Sequence, residues 1–209
     1  MDCCDLNGLN NIFRGGYVRR EEKAFLRKGL SRRQVRFLAG LELSSKTLLD
    51  VGCGVGGLGL MALRRGAASA TLVDVSADYL AASRRAAANL GVAERAAFVQ
   101  TDFAFWKAAP EADIVMLDRV VCCYPDAPGL LERAAKASRE HLLLTYPQPA
   151  LWLRLGRWLL NAGLTLMGKR YRFYLHSEAE LRRAATQGGH RLTRRERLGV
   201  WTLLVFSLE

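Results

Sequence analysis

Residues 48–57 read Leu-Leu-Asp-Val-Gly-Cys-Gly-Val-Gly-Gly, an apolar run that meets a carboxylate, Asp50, and then a cluster of glycines. A buried strand that ends in a tight glycine turn and continues as a helix presents backbone N–H groups to an anionic or polar ligand. Asp74 closes the next apolar run, Ala70-Thr71-Leu72-Val73-Asp74. A carboxylate at that place can accept both hydroxyls of an adenosine ribose. Gly52, Gly54 and Gly57 also satisfy the GxGxxG spacing of a dinucleotide site, which keeps an NAD-dependent oxidoreductase open as an alternative. Asp50 weighs against it, because a carboxylate there repels a pyrophosphate and suits a ligand that carries positive charge.

Further chemistry-bearing residues follow. Asp118-Arg119-Val120-Val121-Cys122-Cys123-Tyr124-Pro125-Asp126 comes after a fourth apolar run, at the sheet edge where ligands bind in parallel α/β folds. In this stretch Asp118 is a candidate base or a strand-end cap, and Tyr124 can orient a substrate or pack. The histidines, His141, His176 and His190, fall on separate elements. Of these only His176 stands beside a segment that could cover a site, so it is the candidate base among them. Cys122 and Cys123 are expected as structural thiols. Two other roles stay open for them: soft metal or metalloid binding together with Cys3 and Cys4, and nucleophilic attack on a pyrimidine. No metal ligand set is assigned.

The run DVGCGVG at Asp50–Gly56, followed by VDVS at Val73–Ser76, resembles motifs I and II of the class I S-adenosylmethionine-dependent methyltransferases. The resemblance extends over roughly Leu41 to Tyr146. It implies that Asp50, Gly52, Gly54 and Gly56 surround the methionine part of S-adenosyl-L-methionine, and that Asp74 holds the ribose hydroxyls with Val75 beside the adenine. It further implies that Asp102 contacts the adenine amine with Phe103 packed nearby, and that residues Asp118 to Val121 flank the methyl donor. The Asn-Pro-Pro-aromatic motif of nucleobase amine methyltransferases is absent here, which removes weight from base N-methylation.

Elements able to position these groups alternate along the chain as β-like and helical runs, the pattern of a parallel sheet covered on both faces. Strands are expected at 47–51, 70–74, 96–100, 113–117 and 141–146, with helices at 17–40, 58–65, 77–90 and 128–138. Ser177 with Glu180 forms a capping-box signature for a last helix that ends at Gly188-Gly189. The runs His190–Leu198 and Val200–Leu208, separated only by Gly199, predict an antiparallel hairpin. The fold class expected is α/β, a three-layer α-β-α sandwich with a mostly parallel seven-stranded sheet. One domain should span residues 1–209, with an N-terminal helical cap (about 1–40) and an apolar lid insertion (about 147–176). Trp152, Leu155, Trp158, Leu159 and Met167 of that insertion would make an apolar pocket over the methyl donor. This layout is similar to that of small methyltransferases acting on magnesium-protoporphyrin or quinone precursors, in architecture and not in motif.

The 209 residues are 50 % apolar and 24 % charged, enough to bury a core without disulfides and unlike a disordered or fibrous chain. Lys+Arg number 31 against 20 Asp+Glu, a formal charge of +11 that attracts nucleic acid, acidic metabolites or anionic lipid. Many of the cations form two clusters, 19–36 and 182–197, expected as solvated faces. The five cysteines, two pairs of them adjacent, do not resemble a disulfide framework, and MDCCDLNGLNN at the start does not resemble a signal peptide. A cytoplasmic protein is expected. Arg154 and Arg157 interrupt the apolar segment 149–167, which leaves it too short to span a bilayer but suited to peripheral contact with an anionic membrane through 149–172. The activity expected is S-adenosylmethionine-dependent transfer of a methyl group, favouring oxygen, to a small, apolar molecule that is neutral or acidic. An RNA methyltransferase, drawn by the positive charge, is the main alternative, and a fold kept for binding alone is a further one.

Overall fold

The computed structural model describes residues 15–148, 151–168 and 171–208. Five strands, β1 (Thr47–Val51), β2 (Ser69–Asp74), β3 (Ala96–Gln100), β4 (Ala112–Asp118) and β5 (Ser138–Pro147), are joined to β6 (His190–Leu198) and β7 (Trp201–Leu208) in one sheet. The order is β3-β2-β1-β4-β5-β7-β6. The first five strands pair in parallel, and β7 enters antiparallel to both β5 and β6. Chain order reverses between β1 and β4, so their carboxyl ends splay apart and open a crevice.

Strand side chains alternate between the faces, as the two-residue period of a pleated strand requires. Leu48, Ile114, Met116, Leu143, Leu203 and Val205 enter one buried cluster; their chain neighbours Leu49, Val115, Leu117, Leu142, Leu144, Leu204 and Phe206 enter the other. Helices α2 (Arg32–Leu38), α3 (Gly57–Arg64) and α4 (Ala77–Asn89) cover the first face, and α5 (Ala127–Lys136) and α7 (Glu178–Gln187) the second. The expected three-layer sandwich with its terminal antiparallel hairpin is the observed one.

The sequence pattern predicts one helix over 17–40, and two are found: α1 (Gly16–Lys28) and α2. Gly29 takes φ +67 and returns its N–H to the Phe25 carbonyl, which ends α1. Ser31 then opens α2 with a capping box: its hydroxyl accepts from Gln34 N–H while the Gln34 side chain accepts from Ser31 N–H. The break turns α2 across the carboxyl end of the sheet, where Arg33 reaches Asp118.

The insertion after β5 forms α6 (Leu151–Leu166). Its apolar side chains do not gather as a pocket: Trp158 is 65 %, Leu166 90 % and Met167 71 % exposed, and Leu159 is also exposed. The Trp152 and Leu155 side chains, and Cys3 and Cys4, lie outside the described residues. Among the described residues no helix is long and apolar enough to cross a membrane.

Candidate functional site

A cavity of about 580 Å³ lies over the crevice between β1 and β4 and is roofed by α1, α2 and the segment after α6. Its floor is the glycine turn. The Gly52 and Cys53 N–H groups both donate to the Val73 carbonyl, at 2.8 and 3.0 Å, folding the chain over β2. Gly52, Gly54 and Gly56 have φ of +66, +57 and +76, a region closed to most side chains. A Cβ at Gly52 would stand 2.6 Å from Val120 Cγ2, so the close approach of β1 to the turn after β4 also demands glycine. No side chain caps the N-terminus of α3, whose first residues, Gly57 and Leu58, line the cavity.

Two buried carboxylates stand beside this turn. Asp74 is pinned in place: Oδ2 accepts from Gly54 N–H and Oδ1 from Ser76 N–H, each at 2.9 Å. Burial raises its carboxyl above the ordinary range, opposed by these donors. Asp50 accepts from Gly59 N–H at 3.0 Å through Oδ2. Burial pushes it up to about 7, helped by the charges of Asp118 and Asp74. Among the described residues no cation pairs with it. A buried acid in that condition stabilises whichever cation enters beside it.

The cavity wall also carries aromatic side chains, Tyr17, Phe25, Tyr171, Phe173 and Trp201. Asn161 of α6 clamps Phe173, donating to its carbonyl at 3.0 Å and accepting its N–H at 2.9 Å. Thus the insertion serves the cavity through Tyr171 and Phe173, and the expected Trp158, Leu159 and Met167 stay outside it. Asp118 ion-pairs with Arg33, and its Oδ1 also accepts from the Thr145 hydroxyl at 2.6 Å. The Arg33 guanidinium carbon lies 5.8 Å from the centre of the Trp201 ring. Glu21 is bonded to the Tyr79 hydroxyl at 2.5 Å, which with burial drives that phenol upward.

Of the residues singled out in the sequence, Asp50, Gly52, Gly54, Asp74, Val75, Phe103, Asp118 and Tyr124 meet in this cavity. Three do not. Gly56 faces away from it: a Cβ there would strike Ser83 Oγ and come within 2.8 Å of Leu72 Cδ2, so this glycine serves helix–sheet packing. Asp102 is set behind the wall, accepting from Ala104 N–H at 3.0 Å and from the Tyr124 hydroxyl at 2.7 Å. His176 also lies outside, its Nε2 bonded to the Tyr124 carbonyl at 2.8 Å. With Tyr174 N–H donating to the Cys122 carbonyl, also at 2.8 Å, it straps the segment after α6 to the turn after β4.

Cys122 and Cys123 do line the cavity. Their mutual hydrogen bond drives the Cys122 thiol up and the Cys123 thiol down. Among the described residues no three His, Cys, Asp or Glu side chains gather as a metal site. Wall residues that sequence reasoning passes over are Tyr17, Arg33, Tyr171, Phe173 and Trp201, and Arg119 enters it only within the Asp118–Val121 segment expected beside the methyl donor. In the sequence Arg33 stands only within a basic cluster and Arg119 only in the stretch after β4; the aromatics carry no local signal.

Residues 48–141 match the family described as a methyltransferase domain. Ribosomal protein L11 methyltransferase of Klebsiella pneumoniae is 44 % identical over 61 residues, 29 % of this chain and 21 % of that protein. The chain thus spans about a fifth of the length of the curated relatives it matches. Among solved structures, magnesium protoporphyrin IX methyltransferase from Synechocystis PCC 6803, with bound SAH, aligns with TM-score 0.75 and 20 % identity over 99 % of this chain and 100 % of that one. An O-methyltransferase family protein from Burkholderia thailandensis aligns with TM-score 0.72 and 19 % identity over 92 % of this chain and 60 % of that one. The methyltransferase-domain match runs from β1 into β5, and the chain shares the fold of these solved structures over almost all of its length.

Proposed function

We propose that this chain transfers a methyl group from S-adenosylmethionine to an oxygen of a small, apolar, acidic molecule. The observation that carries the proposal is the shared cavity, whose wall brings together the glycine turn, two buried carboxylates and a set of aromatic side chains. The residues fit the cofactor. Asp74, already oriented by two backbone donors, has the position to accept the ribose hydroxyls, with Val75 and Phe103 beside the adenine. Asp50 supplies a buried negative charge for the cationic methionine end, and the Gly52–Gly54 turn lets the backbone approach it.

When bound, S-adenosylmethionine supplies a methyl group activated by a positively charged sulfur. Transfer of that group to an oxygen would quench the positive charge, so the chain's residues would act mainly by positioning the acceptor. The chain's part is to hold the acceptor in line and to keep water out. Asp118 is neutralised by Arg33, the Tyr124 phenol donates to Asp102, and His176 lies outside the wall. The acceptor therefore enters as an oxyanion. A roofed cavity of this size suits a small molecule better than a nucleic acid, and Asp50 opposes a nicotinamide dinucleotide.

In this proposal α1 and α2 are the cap of one domain, and residues 171–174, held by α6, are its lid. The exposed apolar row of α6 is the part we assign to an anionic bilayer surface. Between Glu140 and Glu178 the sequence carries Arg154, Arg157, Lys169, Arg170 and Arg172 and no acidic residue. Such a helix lies in the interface, its apolar side chains in the acyl boundary and its cations at the headgroups.

The test is incubation of the purified protein with methyl-labelled S-adenosylmethionine and a panel of hydroxyaryl acids, quinone precursors and transcribed RNA. Label recovered as a methyl ether or ester of a small acid supports the proposal. Label on RNA alone overturns it.

A further inference from the structure

Arg119 is one of two non-glycine residues with positive φ among those described, at +64. A side chain is held there only where its surroundings over-determine it, and such residues gather at ligand sites. Here both backbone groups are tied. The Arg119 N–H donates to the Thr145 hydroxyl at 2.9 Å, and its carbonyl accepts the Cys122 and Cys123 thiols at 3.4 and 3.9 Å. Thr145 in turn donates to Asp118, so the end of β4 and the middle of β5 share one network.

The consequence is a guanidinium in the cavity wall, where its charge favours ionisation of the Tyr17 phenol and of both thiols. Among the described residues this guanidinium makes no hydrogen bond and no ion pair. Of the other charged groups in the wall, Arg33 pairs with Asp118, Glu21 accepts from the Tyr79 and Tyr17 hydroxyls, and Lys28 closes the last turn of α1. Asp50 and Asp74 are held beside the glycine turn by Gly59 N–H and Gly54 N–H. Arg119 therefore brings a positive charge without a partner among the described residues into a wall that also holds the Tyr17 and Tyr171 rings.

We propose that Arg119 is the anion anchor of the acceptor site, a specificity-determining residue that takes the carboxylate of a flat aromatic acid. The assignment rests on the methyltransferase reading above. A guanidinium binds a carboxylate through two parallel N–H donors, which fixes orientation as well as charge, and the Tyr17 and Tyr171 rings of the same wall offer flat apolar surface to the acceptor.

The probes are 2-hydroxybenzoate and its neutral counterpart 2-hydroxybenzamide, titrated calorimetrically into protein saturated with S-adenosylhomocysteine. Native protein should prefer the carboxylate by roughly tenfold or more, the scale of one charge-assisted pair. Arg119→Gly keeps the left-handed backbone without strain and should lose that preference, with its melting temperature and S-adenosylhomocysteine affinity unchanged. Arg119→Lys should keep part of it. A native protein without the preference, or a preference that survives Arg119→Gly, overturns this assignment alone. Failure of native protein to bind S-adenosylhomocysteine overturns the methyltransferase reading, and the anchor with it.

Discussion

Asp50 allows the most quantitative prediction. Its carboxyl moves from 3.8 to about 7 on folding because it is buried with one backbone donor and no cation among the described residues. A rise of that size corresponds to roughly 4 kcal/mol of disfavoured ionisation. In the unliganded protein the folded state binds a proton that the unfolded chain has released. Stability should therefore fall as pH rises from about 4 to about 7, by up to ~1.4 kcal/mol per pH unit, and level off above.

Ligand binding reverses the preference. The ammonium end of S-adenosylhomocysteine attracts the carboxylate form, so binding should release a proton wherever Asp50 begins protonated. Affinity at pH about 6 should then be roughly tenfold below its value at pH about 8. Calorimetric titrations in two buffers of different ionisation enthalpy read both the affinity and the proton count. Close to one proton should leave at the lower pH and close to none at the higher. Asp50→Asn should bind weakly and with a flat profile. A native profile as flat as that of the variant, or proton uptake on binding, would refute the placement of the cation beside Asp50.

Asp74→Ala should weaken S-adenosylhomocysteine binding by about 3 kcal/mol, roughly a hundredfold, through loss of two charge-assisted bonds to the ribose, as measured by the same titration. Gly56→Ala should lower stability by about 2 to 4 kcal/mol in thermal melting, because its Cβ meets Ser83 and Leu72 at a φ of +76. Paired substitution of Trp158 and Leu159 by Glu should abolish sedimentation with phosphatidylserine vesicles while leaving the melting temperature within a degree or two. Sedimentation unchanged by that pair would remove the bilayer from the account.

How much of this is legible in the sequence follows from where each residue sits. Asp50 and Asp74 end consecutive apolar runs, and a strand that stops at a glycine turn announces both its end and its ligand side. The mostly parallel sheet and the hairpin can be read for the same reason, since short apolar runs alternating with helical ones, and Gly199, mark them locally. Gly56 and Gly52 look alike in sequence; only the packed structure shows that one faces Ser83 and the other Val120. His176 is a candidate base because it adjoins the insertion, yet chain proximity says nothing of where a ring turns, and it turns to the Tyr124 carbonyl. The division of helix 17–40 is written in Gly29 and in Ser31 with Gln34, signals weaker than the basic amphipathic pattern that runs through them. The rest of the cavity wall is the least legible part. Tyr17, Arg33, Arg119, Tyr171, Phe173 and Trp201 come from α1, α2, the turn after β4, the segment after α6 and β7, and only the topology assembles them.

The most direct test of the central claim is parallel titration of the purified chain with S-adenosylmethionine and with NADH. The account predicts saturable binding of the first, lost in Asp74→Ala, and no binding of the second, whose pyrophosphate would meet Asp50. Binding of NADH alone would contradict it, and would return Gly52, Gly54 and Gly57 to a dinucleotide.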